Sequence, residues 1–225
     1  MQPVLALDVY GTLIDTQGVT TELERRLAQP EKAPEFARRW RDKQLEYSFR
    51  RGLMGAYSAF SECTREALLF TDRALQAGLS ENDHDHLMAV YAELPAFDDV
   101  APALDTLRRQ KICCVAFSNG TAQAVSQLLE RAGLREHMDD IVSVDEIKRF
   151  KPDPAVYAHL RSRLDTRPEQ TWLVSSNPFD VIGAKHAGVR SAWVRRTPEA
   201  PFDPWGIEPD MTVTDLEALA ERLLG

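Results

Sequence analysis

Short apolar runs recur along this chain, and each ends in polar or turn-forming residues. Val4 to Leu7 runs into Asp8, Ile112 to Phe117 into Ser118, Asn119 and Gly120, and Trp172 to Val174 into Ser175, Ser176 and Asn177. Unbroken apolar runs of this length, without alternation, predict strands buried on both faces, as in a parallel sheet. Ile141 to Val144, Ala192 to Val194 and Met211 to Val213 are weaker strand candidates. Helical spacing lies between them. Val100, Leu104 and Leu107 share one face, as do Val125, Leu128, Leu129 and Ala132, which end at Gly133 as a C-cap. Asp153 and Pro154 form an N-cap followed by proline in the first turn, leading into Val156, Tyr157, Leu160 and Leu164. Alternating strands and helices predict an α/β fold with a parallel sheet.

One stretch breaks the alternation. From Thr16 to Leu94 only helical periodicity is present: Leu23 and Leu27; Phe36, Trp40 and Leu45; a stripe of Leu53, Tyr57, Phe60, Thr64 and Ala67; and Leu87, Val90, Tyr91 and Leu94. The expectation is a helical cap domain at 16–95, inserted into a core formed by 1–15 and 96–225. Pro95 to Asp98 is the return connection. Sites in open parallel sheets form at the carboxyl ends of the strands, so Asp8, Ser118, Asn119 and Ser175 to Asn177 are expected to converge there, with the cap excluding water.

Composition narrows the class. The 225 residues are 44% hydrophobic and 28% charged, with a net charge of −8. That is a globular composition, and its sign argues against general nucleic-acid or membrane-surface binding. No apolar run approaches the roughly 20 residues needed to span a bilayer, and no secretory pattern stands at the N-terminus. Cys63, Cys113 and Cys114 form no framework or zinc spacing, so a reducing, cytoplasmic setting and no metal or other cofactor are the expectation. The histidines match no ligand or triad spacing.

The motifs carry the chemistry. Leu7-Asp8-Val9-Tyr10-Gly11-Thr12-Leu13 presents a carboxylate at a strand tip before a Gly-Thr turn. It resembles the first motif of the haloacid dehalogenase-like superfamily. Phe117-Ser118-Asn119-Gly120, Lys151-Pro152-Asp153-Pro154 with Tyr157, and Ser175-Ser176-Asn177-Pro178-Phe179-Asp180 resemble the second, third and fourth, in order and at suitable spacing. Phosphatases of that superfamily carry an acid–base Asp where this chain has Tyr10, and an acidic magnesium ligand where it has Ser176. Those two departures match the L-2-haloacid dehalogenase branch. Trp40-Arg41-Asp42-Lys43-Gln44-Leu45-Glu46-Tyr47 resembles the cap segment of the same enzymes.

The resemblance implies a Rossmann-like three-layer core, an inserted helical cap and a homodimer. The implied reaction is metal-independent removal of halide from short (S)-2-haloacids to give (R)-2-hydroxyacids. It assigns Asp8 as nucleophile, with Asp180 and Asn177 directing water onto the resulting ester. Lys151, Ser175 and Tyr157 hold the carboxylate network, and Thr12 and Ser118 bind the substrate carboxylate. Arg41 and Asn119 receive the halide, and Tyr10, Leu45, Phe60 and Phe179 form an apolar wall. Plainer readings stand beside these. Thr12 caps a turn, Asp180 complements a helix N-terminus, Tyr157 packs with Leu160 and Leu164, and the apolar four are ordinary core. Arg38, Arg39, Arg50 and Arg51 compete with Arg41. The competing functions are a magnesium-dependent phosphatase of the same fold and a binding protein with a relic site.

Overall fold

The computed structural model describes residues 3–225. Contacts divide the chain into two units, residues 1–14 with 96–225, and residues 15–95. Asp15 falls in the second unit, where its carboxylate accepts the Gln17 N–H and caps a short 3-10 turn at Thr16–Val19.

The first unit is built on six parallel strands: β1 (Val4–Asp8), β2 (Cys113–Ser118), β3 (Asp140–Ser143), β4 (Thr171–Ser175), β5 (Arg190–Val194) and β6 (Met211–Val213). Their order is β3-β2-β1-β4-β5-β6, so β1 is central, paired to β2 and β4. The register sets Asp8 beside Phe117 and Leu7 beside Val174, which brings the polar ends of these three strands to one edge.

Side chains alternate across the sheet. On one face Ala6, Val115, Phe117 and Leu173 pack with Val156, Tyr157, Leu160 and Ala184, which come from two helices. The other face takes the odd positions of β1, Leu5 and Leu7, both fully buried.

Four helices stand in the second unit: α1 (Thr20–Arg26), α2 (Ala33–Met54), α3 (Phe60–Leu75) and α4 (Glu81–Tyr91). The first unit carries α5 (Val100–Arg109), α6 (Ala122–Arg131), α7 (Pro154–Leu164), α8 (Pro178–His186) and α9 (Leu216–Leu224). Helices α7 and α8 cover the Ala6 face, and α5 packs on β2 and against α9. These are the layers of a three-layer α/β core. Asp153 caps α7 by accepting the Ala155 N–H, as its sequence predicts.

One helical expectation is corrected. The stripe from Leu53 to Ala67 is not one helix. Gly55, at φ +64°, takes the left-handed conformation that ends α2, and α3 begins at Phe60. Leu53 is 91% exposed. Apolar spacing continued across a glycine stop, which is the stronger local signal. Leu27 and Leu94 likewise lie just past the ends of α1 and α4. The return connection is as expected: Ile14 bridges Ala96, and the Phe97 N–H donates to Leu13 O. Among the described residues no helix is long and apolar enough to cross a membrane.

Candidate active site

Asp8 is the last residue of β1 and is 7% exposed. Its two carboxylate oxygens have different surroundings. Oδ2 accepts from Thr12 Oγ1 at 2.8 Å, Asn177 Nδ2 at 2.8 Å and Ser175 Oγ at 3.3 Å. Oδ1 accepts from Lys151 Nζ at 3.0 Å. The donors come from the turn after β1, the end of β4 and the N-cap of α8, which the sheet order makes neighbours.

Lys151 is 2% exposed. Its ammonium gives its other two protons to Asp180 Oδ2 and the Phe117 carbonyl, both at 2.8 Å, and lies over the Phe117 ring. Burial alone would lower the pKa of this ammonium. The carboxylates of Asp180 and Asp8 outweigh that, and the group is held above its usual value.

Asp180, in the first turn of α8, has no exposed surface. Its Oδ1 accepts from Tyr157 Oη at 2.7 Å. Burial pushes its pKa up, Lys151 pulls it down and Asp8 pushes it up again, leaving it raised. One cation thus serves two carboxylates. Burial and the Asp180 charge raise the Tyr157 phenol well above its usual value, so it stays a donor. Gly183 makes this contact possible. A methyl group there would stand 2.5 Å from Tyr157 Oη and 2.6 Å from Pro152 Cβ.

The expected residues at the end of β2 are tied to the same cluster. Asn119 Oδ1 accepts the Lys151 backbone N–H at 3.0 Å, leaving its amide protons to give elsewhere. Ser118 Oγ accepts the Gly120 N–H at 3.1 Å and keeps its own proton for another acceptor. Thr12 differs. Its hydroxyl donates to Asp8 and accepts the Ser176 N–H at 2.8 Å, so it is engaged within the cluster. Tyr10 is half-buried and its carbonyl accepts from Asn177. Phe179 lines a cavity of about 340 Å³ with Pro152, Ile182, Trp205 and Ile207.

Arg41, Leu45 and Phe60 belong to the helical unit. There Arg41 Nη1 donates to Gln44 Oε1 at 2.6 Å. Gln44 is fully buried, accepts also from Tyr91 Oη and donates to Thr64 Oγ1. Phe60 opens α3 and is buried, and Leu45 is half-buried on α2. The sequence pattern assigns no role to Gln44. Its position one turn from Arg41 is the signal that would have found it.

Ser176, where magnesium-dependent members carry an acidic ligand, donates to the Gly11 carbonyl at 2.7 Å. A hydroxyl already bonded to a backbone carbonyl replaces a carboxylate at that position, so the donor set is poor in the charged oxygens that magnesium favours. The cysteines are free. Burial pushes Cys114 up to about 12 and Cys63 and Cys113 up to about 11, which suits packing rather than nucleophilic chemistry.

A parallel sheet whose strand tips surround one buried carboxylate defines the class: an α/β enzyme with a carboxylate-centred site. The sequence matches the haloacid dehalogenase-like hydrolase family over residues 3–188. It is 36% identical over 217 residues to the (S)-2-haloacid dehalogenase of Pseudomonas sp. (strain YL), covering 96% of this chain and 92% of that one. It is 34% identical to (S)-2-haloacid dehalogenase H-109 of Pseudomonas putida, over 100% of both. The L-2-haloacid dehalogenase of Xanthobacter autotrophicus, solved with chloropropionic acid covalently bound, superposes with a TM-score of 0.91 at 33% identity. That match covers 100% of this chain and 99% of the other. The chain belongs to the haloacid dehalogenase-like hydrolase family.

Proposed function

We propose that this protein hydrolyses short-chain (S)-2-haloacids to (R)-2-hydroxyacids through an ester on Asp8, without a metal. The observation that carries the reading is the unequal solvation of the Asp8 carboxylate. Among the described residues Oδ2 takes three donors, whereas Oδ1 takes one, from Lys151. Oδ1 therefore keeps a lone pair for in-line attack on the substrate Cα. The Oδ1–Cα bond forms as the carbon–halogen bond breaks, and halide leaves with the bonding pair. The displacement inverts the carbon.

Oδ2 then becomes the ester carbonyl oxygen. Water adds to Cγ of Asp8 and gives a proton to Asp180. Charge builds on Oδ2, where Thr12, Ser175 and Asn177 already point their donors. Collapse breaks the Cγ–Oδ1 bond, the departing alkoxide takes the proton back from Asp180 to leave as the hydroxyacid, and Asp8 keeps the water oxygen and loses its remaining proton to solvent. Asn177 acts here on the ester oxygen as well as on water. The raised pKa of Asp180 suits a base that must accept a proton.

The named relatives support the substrate class. Ser118 and backbone N–H groups bind the substrate carboxylate in this reading, and Arg41 and the Asn119 amide receive the halide. Tyr10, Leu45, Phe60 and Phe179 bound the substrate chain. The inserted helical unit serves as cap. A cytoplasmic homodimer completes the proposal, and sedimentation checks the dimer. The magnesium phosphatase reading has no matching support, since Ser176 and Tyr10 replace the carboxylates it needs.

Halide release from purified protein with (S)- and (R)-2-chloropropionate in excess EDTA tests the proposal. Chloride from the (S) form alone is the expected result. Phosphate release that depends on magnesium, with no chloride from either acid, would overturn it.

A further inference from the structure

The turn that carries Thr12 is anchored by an arginine that no motif points to. Arg196 Nη2 donates to the Thr12 carbonyl at 2.7 Å, and Nη1 donates to Asp99 Oδ1 at 2.6 Å. Its guanidinium lies 4.1 Å from the centre of the Phe97 ring. Asp99 Oδ2 in turn accepts the Leu216 N–H at the start of α9, at 2.7 Å. Both side chains of the pair are about 15% exposed, and the Arg196 Nε–H is buried with no acceptor among the described residues. A surface ion pair would not be shut away in this manner.

The turn needs such an anchor. Three N–H groups, of Thr12, Leu13 and Ile14, converge on the single Val9 carbonyl, and that of Thr12 is the longest at 3.3 Å. Thr12 has no exposed surface, so water is not at hand to bind its carbonyl. Arg196 is the strong bond on the carbonyl side. The same residue's hydroxyl, 2.8 Å from Asp8 Oδ2, orients the carboxylate.

We propose that Arg196, held by Asp99, is a positioning residue that fixes the Thr12 peptide and thereby aims the Asp8 carboxylate. The proposal rests on the reading of Asp8 as nucleophile. A planar guanidinium reaches the Asp99 and Thr12 oxygens together, whereas a lysine ammonium is a point donor on a flexible stem.

The test measures chloride release in the first turnover, with full-length enzyme in excess over (S)-2-chloropropionate. Arg196→Met should slow it roughly 10- to 100-fold, the scale on which small misplacements of a reacting group act, with KM little changed and Arg196→Lys between. In a Thr12→Val background the same replacement should change the rate by less than about 2-fold, because coupled residues lose their effects together. Equal losses in both backgrounds would overturn the proposal. If circular dichroism shows Arg196→Met unfolded, Asp99→Asn carries the same cycle, since it frees Arg196 but keeps an acceptor for Leu216. A wild-type protein inactive on every 2-haloacid would defeat the dehalogenase reading separately. A crystal structure of Arg196→Lys then decides the positioning role. Thr12 Oγ1 out of hydrogen-bond reach of Asp8 supports it, and an unmoved Thr12 overturns it.

Discussion

Lys151 Nζ lies 2.8 Å from Asp180 Oδ2, and neither side chain has more than 2% of its surface exposed. The same ammonium is 3.0 Å from Asp8 Oδ1. Removing it would leave two carboxylates in one closed space with no cation between them. Lys151→Met should therefore cost about 3–5 kcal/mol of stability and abolish halide release. Urea denaturation and a chloride assay check both. A variant as stable as the wild type would contradict the shared-cation arrangement.

Asp180 gives a pH dependence with a definite sign. Its carboxyl pKa is raised above the ordinary 3.8, by burial first and by Asp8 in addition, against the pull of Lys151. The folded state thus binds this proton more tightly than the unfolded chain. The group's contribution to stability is full below about 3.8 and is lost as pH rises through the higher folded value. With Asp180 as the proposed base, activity should run the other way, because only the ionised carboxylate takes a proton from water. Breakdown of the ester should fall on the acid side as Asp180 takes up a proton. A rapid-quench pH profile with no acid-side fall in ester breakdown would contradict the assignment of Asp180.

Gly183 tests the Tyr157 contact without touching a charged group. Gly183→Ala drives a methyl into Tyr157 Oη and Pro152 Cβ. Overpacking of this kind costs about 1–3 kcal/mol. Chloride release should fall further than the lost stability explains, since Tyr157 can no longer reach Asp180. Activity of the folded fraction equal to wild type would show that the Tyr157–Asp180 bond is dispensable.

β1, β2 and β4 were plainly legible because each is an apolar run that gives way to polar residues, whereas Asp140, Arg190, Ser191 and Thr212 made β3, β5 and β6 fainter. Around Asp8, the residues at the strand ends, Ser118, Asn119, Ser175 and Asn177, were legible for the same reason, but Lys151, Tyr157 and Asp180 stand in a loop and in helices and were marked only by resemblance to the family motifs. Other features had no local mark. Leu53 kept helical spacing past Gly55, and only the left-handed glycine reveals that α2 stops there. The Phe117 carbonyl that takes the third Lys151 proton is a backbone group with no sequence signature. Arg196 and Asp99 are 97 residues apart, and nothing in either neighbourhood announces the pair. Thr12 read as a donor to substrate from its turn, whereas its hydroxyl is taken up by Asp8 and the Ser176 N–H.

Gln44 holds the Arg41 guanidinium by a 2.6 Å bond and is also bonded to Tyr91 and Thr64. Gln44→Leu removes the acceptor that Arg41 and the buried Tyr91 share, at a cost of about 1–3 kcal/mol. If Arg41 receives the halide, this variant should also slow chloride release while the protein remains folded. Calorimetry with a chloride electrode separates the two effects. An unchanged rate would remove Arg41, as Gln44 holds it, from the halide step.

In the proposed reaction Asp8 attacks the substrate carbon and water attacks only Asp8. A single turnover in oxygen-18 water, with enzyme in excess over (S)-2-chloropropionate, tests it directly. Unlabelled lactate and oxygen-18 in the peptide that contains Asp8, read by mass spectrometry, are the expected result. Label in the lactate hydroxyl, with none on Asp8, would mean that water attacks the substrate carbon itself and would contradict attack by Asp8.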